Sequence, residues 1–272
     1  MQTYIVVADA FTRFADKPTL WRYSDLLSAL RRGAATDLRG QRFVAGQGLD
    51  DPQIDHLYCL ALSQGLEAEF QHWRQWRSRP MVDMAACHKH RVENVLITEP
   101  LRLEPELFVS DLVLHAGNEL MQDHLTGEHI QGMVLAEACR QMFLAVTELH
   151  SLRDFSPATR YFVINEMAIR YLAFAFPLPA QVRYRVRRQE RERADRHAIE
   201  ADIEVVQCDR VAASMRVSFV VFDAAVLTSR EAQLARVAVE QCLSQLGPQA
   251  TLPEGMAETV VRARPGATRQ PA

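Results

Sequence analysis

Residues 123–141 read DHLTGEHIQGMVLAEACRQ, and they put ionisable side chains on a helix otherwise made of interior residues. A helix apolar almost all round belongs in a core. Glu137, Arg140 and Gln141 therefore need a reason to stand among Met133, Val134, Leu135, Ala136, Ala138, Met142, Phe143, Leu144 and Val146. Buried charge must be paired, neutralised or used. Spacings of three and four place the polar trio on one face, within bonding reach of each other. A Glu137–Arg140 pair with Gln141 at a dimer interface would satisfy them structurally. Chemistry would use them: a carboxyl inside an apolar helix has a raised pKa, suited to general acid/base work near neutral pH.

Ahead of the helix, His124, Gly127, His129 and Gly132 form a short loop that ends at its N-terminus. Unpaired N–H groups there favour a developing negative charge. Gly132 is then the oxyanion donor. Asp123 either orients the His124 imidazole or caps the turn, and His124 and His129 compete for the place facing substrate.

Working outward, long strands surround this helix. Ile199, Ala201, Ile203 and Val205 alternate with Glu200, Asp202 and Glu204. After a turn at Cys208 to Arg210, Val211, Ala213, Met215, Val217 and Phe219 alternate with Ser214, Arg216 and Ser218. That is an antiparallel hairpin with one wet face. Val182, Tyr184 and Val186 alternate with Arg183, Arg185 and Arg187 in the same way. Tyr161 to Phe176 is more continuously apolar, as a central strand would be, and Val95 to Leu114 supplies one or two more strands. A helix from Gly132 to His150 inside a curled antiparallel sheet makes an α+β domain over residues 92–225. Residues 226–247 hold a last amphipathic helix, Arg230 to Leu246, expected to dock outside the core. The Pro/Gly/Thr-rich tail 248–272 is expected to be disordered.

Residues 1–78 form a small α/β unit. Tyr4–Ala8, Arg42–Ala45 and Glu67–Trp73 are its strand candidates. Ser24 caps a helix that Gly33 ends, and Asp50 or Asp51 with Pro52 starts another that Gly65 stops. Gly46-Gln47-Gly48 lacks the further glycine or the Gly-Lys-Ser of a nucleotide loop, so it reads as a tight turn. Residues 74–91 are basic and aromatic and then lose periodicity, as a linker or docking segment does. Cys87, His88 and His90 have no partner cluster elsewhere, so no metal site is expected.

A net charge of −3 and a pI near 6.3 argue against bulk binding of nucleic acid or a membrane surface. Five scattered cysteines, with no C-x-x-C spacing, indicate neither a disulfide framework nor a zinc knuckle and suit the reducing cytoplasm. No apolar stretch approaches membrane-spanning length, and the N-terminus has no basic leader. Only two lysines occur, Lys17 and Lys89.

The pattern Asp123-His124-x-x-Gly127, then Gly132-Met133-x-Leu135-x-Glu137-Ala138-x-Arg140-Gln141, resembles the helix motif of the A-factor biosynthesis hotdog family, whose members make γ-butyrolactone signals. It is more distantly similar to the hotdog dehydratases of acyl carrier protein thioesters. They share His-x-x-Gly, Pro-Gly and Leu-x-x-Glu-Ala-x-x-Gln. Here the His-to-Glu interval is one residue shorter, Gln131 replaces the proline and Arg140 is added, which favours the A-factor group.

The resemblance implies a hotdog fold and catalysis by His124 and Glu137. It also implies transfer of a β-ketoacyl group from a thioester to a hydroxyl of a glycerol-type phosphate, with no cofactor. The thioester would be on acyl carrier protein or CoA. Gly132 would hold the oxyanion, Arg140 would meet Glu137 or a phosphate, and Gln141 and His129 would complete the substrate site. Alternatives are dehydration, thioester hydrolysis, or acyl binding without turnover. One hotdog unit exposes a sheet edge, so a homodimer is expected. Arg183, Arg185 and Arg187 share a face that could meet an acidic carrier protein.

Overall fold

The computed structural model describes residues 1–76, 79–123, 126–152, 160–193 and 196–246. Met1–Phe222 is one compact unit and the chain from Asp223 is another. The first unit begins with a three-stranded parallel sheet in which β1 (Thr3–Val7) lies between β2 (Leu20–Arg22) and β3 (Arg42–Ala45). The one-turn helix α1 (Thr12–Ala15) precedes β2; α2 (Tyr23–Arg31) and α3 (Ala35–Leu38) link it to β3. Helix α4 (Asp51–Ser63) starts where Asp50 accepts from the Gln53 N–H at 2.7 Å, while the Gln53 side chain accepts from the Asp50 N–H at 3.1 Å. That reciprocal box satisfies two otherwise unpaired donors.

Two local expectations change. Glu67–Trp73 is a run of turns, not a strand. Its buried residues Leu66, Phe70 and Trp73 follow a spacing of four and three rather than two, and the carbonyls of Glu69 and Trp73 accept from the N–H groups of Phe43 and Ala45. The third strand is the short β2 instead. Ser24 is no cap, because α2 has already begun at Tyr23; the Ser24 N–H donates to Asp9.

The larger sheet has six strands in the order β4 (Leu101–Glu104), β5 (Leu107–Leu112), β7 (Ala180–Arg193), β8 (Arg196–Gln207), β9 (Arg210–Asp223) and β6 (Arg160–Tyr171). The β8–β9 turn has positive φ at both Cys208 (48°) and Asp209 (58°), the two-residue turn whose twist matches a hairpin. It sets the register, with Ile203 opposite Met215 and Ala201 opposite Val217. These four are buried, while on the alternate positions Arg216 is exposed and Asp202 half-buried. Strand β6 is an edge strand, contrary to its central appearance in the sequence. Its apolar residues Ile164, Met167 and Tyr171 are exposed, so its long apolar run reflects a surface left uncovered in the single chain.

Against this sheet lies α6 (Gly132–Val146), preceded by the short helix α5 (Glu119–Asp123). The last turn of the predicted helix, Thr147–Ser151, is widened to i→i+5 bonding, with the Leu152 N–H donating to the Thr147 carbonyl. One apolar core runs from Val6, Phe43 and Trp73 through Val134, Phe143 and Phe219.

The Gly46–Gly48 turn joins the two sheets. Gln47 donates to the Leu112 carbonyl (2.7 Å) and accepts from the Leu114 N–H (2.8 Å), so its side chain continues the edge of β5. A Cβ on Gly46 would lie 2.8 Å from Ile5, so glycine lets β1 approach. In the second unit, Ala224–Leu246 is a single helix, α7, six residues longer at its start than predicted. The tail 248–272 lies outside the described residues.

Candidate functional site

Along α6, Val134, Leu135, Ala138, Cys139, Met142, Phe143, Ala145 and Val146 are buried, whereas Met133 is 60% exposed. Glu137 and Arg140, one and two turns on, share that partly open stripe. The polar trio is therefore not sunk in the core as its apolar neighbours suggest. Only Gln141 is fully buried.

Glu137 is a hub of donors. Its Oε1 accepts from Lys89 Nζ at 2.6 Å and from Gln141 Nε2 at 3.1 Å; its Oε2 meets Arg140 Nε at 3.0 Å. Burial pushes the Glu137 carboxyl up, but Lys89, then Arg140 and Gln141, overcome it and hold the pKa below the ordinary value. The expected raised pKa is thus reversed. Sequence spacing could show Arg140 and Gln141 but not Lys89, which arrives from a segment almost fifty residues away. Gln141 also donates to the Asn94 carbonyl (2.8 Å) and accepts from the Leu96 N–H (2.8 Å), pinning the approach to β4 against α6.

About three turns beyond Glu137, the same stripe carries Glu148, which pairs with Arg160 and lies 3.5 Å from His88 Nε2. Burial again raises and His88 and Arg160 more than offset it, so this carboxyl also sits below its usual range. His88 adopts a left-handed backbone (φ 55°) and its ring meets Phe162 edge-on. The neighbours His88 and Lys89 thus each bond one acid of the stripe. Burial raises the Cys87 thiol to about 11, and the Cys139 thiol to about 12, which keeps both unreactive near neutral pH.

Of the loop residues, His124 lies outside the described residues. Asp123 is exposed at the end of α5. His129 is half-buried, its ring 4.8 Å from that of Phe174 and its Nδ1 3.5 Å from Thr126 Oγ1. Thr126 Oγ1 also accepts from the N–H groups of Glu128 and His129, so the turn is internally bonded. Gln131, not a proline, precedes the helix, and its side chain donates to the Leu120 carbonyl. Gly132 opens α6. A Cβ there would lie 2.8 Å from the Tyr171 ring, whose hydroxyl donates to the Gly132 carbonyl at 3.0 Å. Tyr171, on the sheet edge, is a second site neighbour with no sequence signal, since only the fold brings β6 to the start of α6.

Both lysines of the chain meet acids of the motif: Lys17 pairs with Glu128 as Lys89 does with Glu137. The arginine row is less free than its alternation suggests. Arg187 pairs with Asp202 (2.6 Å) and Arg185 lies 3.7 Å from Glu104, while Arg183 donates to Gln181. Among the described residues, no group of three or more His, Cys, Asp or Glu is placed to hold a metal ion, and no helix is long and apolar enough to cross a membrane.

Comparison with curated proteins gave no match. Among solved structures the chain is similar to a conserved protein from Pseudomonas aeruginosa, with 20% identity over 46% of this chain and 87% of that one and a TM-score of 0.34. It is also similar to a mutant thioesterase from the same organism (12% identity, 46% and 81% covered, TM-score 0.34). A third is a hypothetical thioesterase from Streptococcus pneumoniae with coenzyme A (16%, 52% and 98%, TM-score 0.35). The A-factor biosynthesis hotdog domain family matches residues 75–223.

Proposed function

Because the chain belongs to the A-factor biosynthesis hotdog domain family, and so is an acyl-thioester-processing hotdog protein, we propose that it is an acyltransferase joining a β-ketoacyl thioester to a hydroxyl acceptor. The thioester is carried by acyl carrier protein or CoA, and the product belongs to signal-molecule or secondary metabolism. The reading is carried by Glu137, a carboxylate kept ionised between Lys89 and Arg140 close to the N-terminus of α6. A dehydratase would need that group protonated to deliver a proton to the departing hydroxyl; three donors make protonation costly.

In transfer, the thioester carbonyl oxygen faces the first N–H groups of α6 at Gly132, where the helix end favours negative charge. His124, or His129 in its place, takes the acceptor's hydroxyl proton. The acceptor oxygen bonds the carbonyl carbon, the carbon–sulfur bond breaks, and the proton passes to the leaving thiolate. Glu137 and Arg140 orient the acceptor, Asp123 orients His124, and Gln141 holds Glu137. The acyl chain follows Tyr171, Leu172 and Phe174, which like Met133 are exposed. A second copy covering this apolar surface and the β6 edge would make a homodimer. Five free cysteines suit a cytoplasmic home.

The ionised carboxylate also suits attack by water, so hydrolysis is the rival. Mass spectrometry of products from a β-ketoacyl carrier-protein thioester, with and without a glycerol-type phosphate, separates them. Transfer gives an ester and acceptor-dependent thiol release. Free acid formed at the same rate without acceptor, or an enoyl product from a β-hydroxyacyl substrate, overturns transfer.

A further inference from the structure

The family match begins at residue 75, which leaves the parallel sheet and α1–α4 without a role. Their contacts supply one. The Phe14 N–H donates to the Gly127 carbonyl at 2.9 Å. Gly127 has φ +73°, and a Cβ on it would lie 3.2 Å from Thr12 Oγ1, so the loop is pressed against α1 by a backbone that only glycine adopts at low cost. Lys17 donates to Glu128 and, at 3.3 Å, to the Arg13 carbonyl. Phe14 is buried and stacks on Phe176 with ring centroids 5.7 Å apart, and the Ala175 carbonyl next to Phe176 accepts from Ile130 at 2.8 Å. Residues 126–131 are therefore held from two sides, by α1 and by the strand connection 172–179. The Gly46–Gly48 turn fastens the sheet behind α1 to β5, so the clamp has a rigid base.

We propose that the N-terminal parallel sheet with α1 is a positioning device, with Phe14 and Lys17 as positioning residues that set residues 126–131, and His129 with them, against the N-terminus of α6. It rests on that loop being part of the reaction site. A loop built on Gly127 would otherwise sample many conformations, and fixing reacting groups in advance removes that cost from the barrier. Neither residue touches the reacting atoms.

The test uses the full chain with Lys17→Glu, Glu128→Lys, the double reversal and Lys17→Arg, and reads amide hydrogen exchange without substrate. Each single reversal should speed exchange over residues 126–131 by roughly threefold to tenfold, leaving β7–β9 unchanged. The double reversal and Lys17→Arg should restore it. Phe14→Ala should speed exchange over residues 126–131 more than the single reversals do; Phe14→Leu keeps the fold if alanine does not. Unchanged loop exchange in the single reversals, or no rescue by the double, overturns the clamp. On a β-ketoacyl thioester, the single reversals should lower kcat about tenfold with KM within roughly twofold, again rescued. Loosened and rescued exchange with kcat unchanged overturns the positioning role. No turnover by the wild-type chain on any thioester sinks the proposed reaction instead, and exchange then decides the clamp alone.

Discussion

On its inner side α6 presents Val134, Leu135, Cys139, Met142 and Phe143, none more than 2% exposed; on its outer stripe Met133 is 60% exposed and Glu137 and Arg140 are only part-buried. The inner side is held by packing that any apolar set of the right volume could approximate. The outer stripe is held by directed bonds from Lys89, His88, Arg160 and the 94–96 backbone. One helix thus carries a structural face and a chemical face, and substitutions should act on them differently.

The largest expected effect is on the inner face. Phe143→Ala removes a buried ring whose centroid lies 4.7 Å from that of Phe219 and should cost about 3–5 kcal/mol in urea unfolding. Next is Gln141→Leu, at the boundary between the faces. It keeps volume but removes the partner of the Leu96 N–H and of the Asn94 carbonyl, at about 1–3 kcal/mol, chiefly for the buried Leu96 donor left unpaired. A cost well under 1 kcal/mol would show that the two faces are not separately built.

Glu137→Gln sharpens the outer face through pH. Glu137 and Glu148 both have folded-state pKa values lowered from 4.5, so below that value the unfolded chain binds more protons. Their contribution is complete well above pH 4.5 and is lost as pH falls through the lowered folded values. The unfolding midpoint should drop on acidification, and Glu137→Gln should make that acid limb shallower. An unaltered limb would show that Glu137 gains nothing from its donors. Turnover, by the proposed role, should fall about a hundredfold in the same variant. The smallest effect is Arg140→Ala, at most about 1 kcal/mol in thermal or urea unfolding, because its guanidinium is partly solvated.

Much of this was legible in the residues. The β8–β9 hairpin follows from strict alternation and a two-residue turn, and the α4 start from Asp50 and Pro52. Such signals are local: the turn that closes the hairpin and the box that starts α4 each lie within a few residues in sequence. The failures share the opposite property. Leu66, Phe70 and Trp73 looked like a strand because apolar residues in a short run fit either period. Tyr161–Phe176 looked central because a surface awaiting cover has the composition of a core. The sequence points to a raised Glu137 pKa because it does not place Lys89 beside the carboxyl.

The sequence by itself determined the antiparallel hairpins, the long helix and the one-sided spacing of Glu137, Arg140 and Gln141, since these depend on periodicities of two and 3.6 residues. The tertiary structure alone decided that Lys89 and Lys17 reach motif acids, that Tyr171 lies on Gly132 and that β6 is an edge. Those contacts join residues dozens of positions apart, and at such distance only packing determines which side chains meet.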